Sequence, residues 1–209
     1  MILTLASQSP RRRDLLGPLA TSLGFTLRLL PPDADENPEA LEQPLVGEDP
    51  QAYVCRVTDL KAEAGWHRMQ RKGLAPGPLL ASDTTVVLEN EILGKPADIN
   101  DARRMLRALS DRSHQVLTAV TLLCPVTDSQ ESSSFITHRA LSISEVLFGR
   151  LSDDWIEKVI ASGEPMDKAG AYAIQGQAGA RIREIRGSPS GIMGLPLFEV
   201  SELIDHNIS

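Results

Sequence analysis

The sequence predicts a mixed α/β fold in which a twisted sheet carries flanking helices. Apolar runs of strand length alternate with segments whose apolar residues recur at helical spacing, and the two kinds follow one another in a mixed order. Two pairs of β runs lie in succession with no helix between them, which favours a mixed sheet over strict parallel winding. With 209 residues, 42% of them apolar, the chain has length enough for a sizeable core. One domain spanning residues 1–209 is expected.

Ile2 to Ala6 has the length of a short strand, and Pro10 then stands where a first helical turn tolerates it, ahead of Leu15, Leu16, Leu19, Ala20 and Leu23. Phe25 to Leu30 reads as a second strand. The acidic, proline-rich "PPDADENPEALEQPLVGEDP" after it reads as a long exposed loop. Asp49 and Pro50 predict a capped helix through Tyr53, Val57, Leu60 and Ala64, and Trp66 to Pro78 reads as a connection. "LLASDTTVVLENEILGKP" predicts a strand and a second β run with Asn90 at the turn between them. Asn100 is the expected cap of the next helix, with Ala102, Met105, Leu106 and Leu109 on its apolar side. Val116 to Cys124 and Leu141 to Leu147 read as strands, and "VTDSQESSSF" between them as a polar hairpin tip. Ser152 predicts a cap for the helix bearing Trp155, Ile156, Val159 and Ile160. A glycine-rich loop-and-strand segment follows, and Pro196 to Ile204 reads as a closing amphipathic helix.

A formal charge of −7 makes most of the surface repel nucleic-acid backbones and anionic membranes, so a bound anion is expected to be small and held in a local basic pocket. Nucleic-acid binding also wants aromatics interleaved with a basic face, and aromatic content here is 4%. Cys55 and Cys124 belong to no CxxC pair or Cys/His cluster, which fits a reducing compartment. No apolar run approaches the roughly 18 residues a membrane span needs. A cytoplasmic enzyme or binding protein is expected.

Three stretches carry chemistry. In "LASQSPRRRDLL" a Ser-rich turn opens a helix, and the unpaired N–H groups and positive dipole there make a seat for phosphate. Arg11, Arg12 and Arg13 at that end are unfavourable unless an anion relieves them; the alternative is that they point into water. In "ASDTTVVLENEILGKP", Asp83 lies at the end of an apolar strand, and Lys95 returns along the hairpin toward it. Asp83 there suits a divalent cation and an attacking water, with Lys95 neutralising phosphate; equally it suits a turn aspartate bonded to its own backbone near Thr84 or Thr85. In "DKAGAYAIQGQAG", Asp167, Lys168 and Gln175 stand among glycines that let backbone approach a ligand. The carboxamide of Gln175 offers a donor beside an acceptor and matches the imide edge of uracil or thymine, although a lone Gln more often caps a loop backbone.

Other chemistries lack support. "GKP" is no phosphate loop of the nucleotide triphosphatase kind. His67, His114, His138 and His206 show no metal-ligand spacing, so a surface or packing role is expected for each. No GxSxG elbow surrounds Ser188 or Ser190, which leaves covalent serine catalysis unsupported.

Taken in order, "LASQSPRRRDLL", "DADEN", "YVCRVTDLKAEAG", "ASDTTVVLENEILGKP", "LRALSDRSHQVLTAV", "GEPMDKAGAYAIQG" and "GLPL" resemble the Maf family of nucleoside triphosphate pyrophosphatases across nearly the whole chain. The resemblance implies two lobes around a cleft, related to the inosine triphosphatases, and a homodimer. It implies that Arg11 and Arg12 hold triphosphate oxygens, that Ser7 and Ser9 shape the turn, and that Lys61 and Lys95 complete the cationic cradle. Asp83 matches the family's proton acceptor, and Glu36 an acidic residue that helps bind a divalent metal, Mg²⁺ or Mn²⁺. Arg11, Thr84 and Gln175 fall at positions of substrate choice, and "GAYAIQG" resembles the branch acting on dTTP and UTP, where the 7-methyl-GTP branch has a glutamate. Pro189, Cys55 and Thr58 depart from the family's usual residues. The alternative is a nucleotide-sensing regulator of cell division with little turnover.

Overall fold

The computed structural model of the chain describes residues 1–126 and 134–208. Among these, seven strands form one sheet in the order β2-β1-β3-β5-β6-β7, with β4 paired to β3. The strands are β1 (Ile2–Leu5), β2 (Thr26–Leu29), β3 (Leu79–Leu88), β4 (Glu91–Leu93), β5 (Ser113–Pro125), β6 (Phe135–Phe148) and β7 (Ile182–Arg186). β1 runs parallel to β2 and β3, and the β3–β5, β5–β6 and β6–β7 pairs are antiparallel, so the sheet is mixed as the order of elements predicts. Most of the hairpin tip expected at Val126 to Phe135 lies outside the described residues. Among the described residues no helix is long and apolar enough to cross a membrane.

Six helices flank the sheet: α1 (Pro10–Ser22), α2 (Pro50–Arg71), α3 (Ile99–Leu109), α4 (Asp153–Ala161), α5 (Pro189–Ile192) and α6 (Leu197–Asn207). Asp49 caps α2 as expected, its Oδ2 accepting from the N–H groups of Gln51 and Ala52 at 2.9 and 3.2 Å. α2 runs on to Arg71 rather than stopping near Ala64. Trp66 and Met69, each 1% exposed, continue its apolar face and pack with Leu79, Ala81 and Leu123, and this burial carries the helix up to Gly73, whose φ of +60° ends it. α3 is capped by Asp98, whose Oδ1 accepts from the Asp101 N–H at 2.9 Å, and not by Asn100, whose Oδ1 instead accepts from Arg103. Glu89 and Asn90 have φ of 50° and 70°, the left-handed pair a two-residue hairpin needs, and they join β3 to β4.

α2 covers one face of the sheet through Leu79, Ala81, Val87, Leu117 and Ala119. On the other face two cores form. Leu80, Val120 and Leu122 pack with Leu16, Ala20, Val200 and Ile204 of α1 and α6, whereas Val86, Leu88 and Val116 pack with Met105, Leu106 and Ile156 of α3 and α4. The residues between them in register are polar: Ser82 and Thr84 on β3, and Thr118 on β5 opposite Thr84. That polar strip divides the two cores and is where the cleft opens.

Candidate active site

β1 pairs with β3 only as far as Leu80, and β4 joins it from Val86, so the β3 edge from residue 81 to 85 is left open. A cavity of about 820 Å³ lies there, within the size range of small-molecule sites. Ser7, Ser9, Arg11, Arg12, Glu36, Lys61, Asp83, Thr84, Lys95, Lys168 and Gln175 all line it. Asp83 does not end its strand. It sits mid-strand opposite Ala119, because the β-branched run Thr84 to Val87 extends β3 to Leu88. Strand alternation then sends Asp83 toward α2 and Thr84 toward α1, with both reaching the open edge.

Ser9 caps α1 and Ser7 Oγ accepts from the Ser9 N–H at 3.1 Å, which shapes the turn after β1. Gly65 of α2 packs against this turn so closely that a Cβ there would stand 2.6 Å from the Ala6 Cβ. The three arginines part company. Arg12 Nε donates to the Gly194 carbonyl at 2.8 Å and its Nη2 to Thr84 Oγ1 at 3.4 Å. Burial lowers the Arg12 pKa from its ordinary value, and the charge of Asp83 opposes that shift. Arg13 turns outward to Asp14 at 2.9 Å, with half its side chain exposed. Arg11 lines the cavity with no hydrogen bond or ion pair to the described residues.

Lys61 Nζ donates to Asp83 Oδ1 and to Glu42 Oε1, each at 2.6 Å. Asp83 therefore has Lys61 as its direct partner, and Lys95 meets it only through Glu42: Lys95 Nζ lies 3.5 Å from Glu42 Oε2 and 2.8 Å from Glu39 Oε1. Burial acts to raise the Glu42 pKa, but Lys61 and Lys95 outweigh it and hold the carboxyl below its ordinary range. Asp83 Oδ2 accepts no hydrogen bond from the described residues.

Glu36 is bound elsewhere on the cavity wall. Arg68 donates to both its oxygens and Arg71 Nη2 to Oε1 at 2.6 Å, and the Arg68 hydrogen bonds lower the Glu36 pKa. Arg68, 2% exposed, also donates to the Leu30 carbonyl at 3.1 Å. Sequence reasoning missed Arg68 and Arg71, although Lys61, Ala64, Arg68 and Arg71 recur at i, i+3, i+7 and i+10, one helix face, and all line the cavity. The acidic turn that brings in Glu39 and Glu42, Pro38–Glu42, was also missed within its loop.

The opposite wall comes from residues 166–175. Lys168 Nζ donates to the Glu164 carbonyl at 2.8 Å and to Asp167 Oδ1 at 2.5 Å. Burial acts to raise the Asp167 pKa, but the hydrogen bond and charge of Lys168, with a backbone hydrogen bond and the charge of Arg11, hold it below its ordinary value. Gln175 is exposed to the cavity with its carboxamide unbonded to the described residues, and the loop is tied instead by Gln177, whose Nε2 donates to Ser162 Oγ at 3.0 Å. The lining also carries Val86, Val116, Met166, Tyr172 and Ile192, which belong to one apolar cluster with Ile174, the neighbour of Gln175. The cavity thus has a cationic end and an apolar end.

The fold recurs in a solved structure, a HAM1 protein from Coxiella burnetii, which aligns with 99% of each chain at a TM-score of 0.50 and 15% identity. Residues 2–207 match the family model described as Maf-like protein, and the chain belongs to that family. Proteins named dTTP/UTP pyrophosphatase from Ralstonia nicotianae and Cupriavidus metallidurans are each 52% identical to it, over 97% of this chain and 92% and 95% of theirs. One from Burkholderia thailandensis is 48% identical over 96% of this chain and 90% of its own.

Proposed function

We propose that this chain is a cytoplasmic dTTP/UTP pyrophosphatase that hydrolyses the nucleotide between its α and β phosphates, giving the monophosphate and pyrophosphate. The observation that carries the reading is the single cavity lined by Arg11, Arg12, Lys61, Lys95, Asp83, Thr84 and Gln175, cationic at one end and apolar at the other. The names of its relatives at about half identity support the same substrates.

A triphosphate chain brings several negative charges to one place, and planar guanidinium groups match its oxygen pairs better than ammonium does. Arg11, without a hydrogen bond or ion pair to the described residues, takes that role first, with Arg12 held ready by Gly194 and Thr84. Lys61, Lys95 and Lys168 complete the cradle. A water molecule attacks the α phosphorus, its proton passes to Asp83 Oδ2, and the bond to the oxygen bridging the α and β phosphates breaks with its electron pair leaving on pyrophosphate. Lys61 holds the Asp83 carboxylate by its other oxygen. Preorganised cations that meet the charge as it builds on pyrophosphate lower the barrier without reorganisation. At the apolar end, Gln175 pairs with the imide edge of uracil or thymine.

The donor set suits a hard divalent cation such as Mg²⁺ or Mn²⁺: the lining carries the carboxylates of Glu36, Glu42 and Asp83 and no thiol. Among the described residues no three His, Cys, Asp or Glu are grouped to hold an ion alone, so a bound ion would take its remaining ligands from phosphate and water. Asp83 and Glu36 are the residues assigned to it, Glu36 on exchange of an arginine partner, since Arg68 and Arg71 occupy both its oxygens in this structure, and the bound ion would supply neutralisation and polarisation of phosphate oxygens. A homodimer is the assembly we assign to the chain.

The test is to incubate the purified chain with Mg²⁺ or Mn²⁺ and a panel of nucleoside triphosphates and to measure pyrophosphate. Release from dTTP and UTP ahead of purine nucleotides is expected. Tight nucleotide binding without turnover would overturn the enzymatic reading and favour a sensing protein.

A further inference from the structure

The wall that carries Lys168 and Gln175 is anchored from behind by a residue with no part in the steps above. His114, on β5, is 3% exposed, and its Nε2 shares a hydrogen bond of 2.7 Å with the hydroxyl of Tyr172. The two rings meet edge to face at 5.4 Å between centroids, and Phe148 packs on both. Tyr172 itself lines the cavity, three residues before Gln175. Burial pushes the His114 pKa down to about 4, so the ring is neutral under ordinary conditions and the hydrogen bond is an uncharged one.

Immediately before Tyr172 the chain makes a strained turn. Gly170 has a φ of +66° and lies so close to β3 that a Cβ would stand 2.9 Å from Val86 Cγ1. Ala171 adopts φ of 62°, a left-handed conformation that costs a residue with a side chain and persists only where its surroundings enforce it. The Gly170 N–H to Gly94 carbonyl bond at 3.1 Å fixes one side of the turn. His114 fixes the other, through Tyr172.

We propose that His114 is a positioning residue for base selection: by holding Tyr172 it sets the strained turn at 170–172, and with it the place of Gln175 at the apolar end of the cavity. The inference rests on the proposed function for the identity of the base. It implies that the hydrogen bond serves the nucleobase end, since the cationic cradle is built from α1, α2 and the hairpin of β3 and β4, and Lys168, its one member on this wall, is held by Glu164 and Asp167 and not by Tyr172.

The experiment measures Kd for a non-hydrolysable dTTP analogue and, separately, for inorganic tripolyphosphate, in Tyr172→Phe, His114→Leu and His114→Gln. Tyr172→Phe keeps the ring and removes only the hydroxyl. Loss of one uncharged hydrogen bond predicts that Tyr172→Phe and His114→Leu bind the analogue roughly fivefold more weakly with tripolyphosphate unchanged, and that His114→Gln, whose amide nitrogen stands near the lost Nε2, recovers most of the loss. A fold that is merely loosened weakens both ligands together, and that parallel loss overturns the proposal. Analogue binding in Tyr172→Phe equal to that of the parent chain overturns it as well, even if His114→Leu fails to fold. Because these readouts are binding constants, they stand apart from the proposed activity, which fails instead if the parent chain releases no pyrophosphate.

Discussion

Lys61 Nζ lies 2.6 Å from Asp83 Oδ1, which makes a helix residue, and not the hairpin lysine, the immediate partner of the mid-strand carboxylate. The same ammonium reaches Glu42, so the acidic turn Pro38–Glu42, helix α2 and strand β3 are tied at one atom.

Asp83→Asn keeps the size of the side chain and an oxygen for Lys61 but cannot take a proton. Pyrophosphate release is expected to fall by at least about 100-fold, while tripolyphosphate affinity holds or rises. Turnover within tenfold of the parent chain removes Asp83 as the proton acceptor.

Glu42 stands between Lys61 and Lys95, where a phosphate chain would compete with it. Glu42→Gln should therefore bind tripolyphosphate roughly threefold more tightly at low salt, with the gain shrinking as salt screens the pairs. Weaker binding would mean that Glu42 spaces the two lysines and does not compete with the ligand.

Replacing the carboxamide of Gln175 by a carboxylate removes the donor and leaves only acceptors. Gln175→Glu is expected to lose roughly tenfold in kcat/KM for dTTP and UTP relative to a guanine nucleotide, read from the same pyrophosphate assay. An unmoved ratio refutes base reading at this position.

The His114 pKa, about 4 in the fold against an ordinary 6.5, fixes the sign of a stability effect. Between those values the unfolded chain binds the extra proton, so stability is full above pH 6.5 and is lost as pH falls toward 4. Urea titrations should show a loss of about 2 kcal/mol between pH 7.5 and pH 5 from this group. In His114→Gln the corresponding part of the slope should vanish; a slope equal to that of the parent chain would assign the acid sensitivity to other groups.

The fold was legible where local chemistry and burial agree. Asp49 and Pro50 announce α2, Ser9 and Pro10 announce α1, and Asn90 marks its hairpin, because caps and left-handed turns depend on the residues at hand. The far end of α2 was hidden for the opposite reason: Gly73, Pro76, Gly77 and Pro78 suggest a loop, and only packing of Trp66 and Met69 on the sheet carries the helix through to Arg71. That error concealed Arg68 and Arg71, and with them the partners of Glu36. The cavity-lining set was readable from motif order, but its pairing was not, since whether Asp83 meets Lys61 or Lys95 depends on how a helix lies across a sheet.

Arg12 donates to the carbonyl of Gly194, 182 positions further along the chain. During synthesis Gly194 emerges long after Arg12, so a growing polypeptide completes β3 and β5 before this carbonyl can hold the guanidinium. A chain truncated before Gly194 would lack this carbonyl however much of its sheet had formed, and the Arg12 guanidinium would be left with Thr84 as its one hydrogen-bond partner among the described residues.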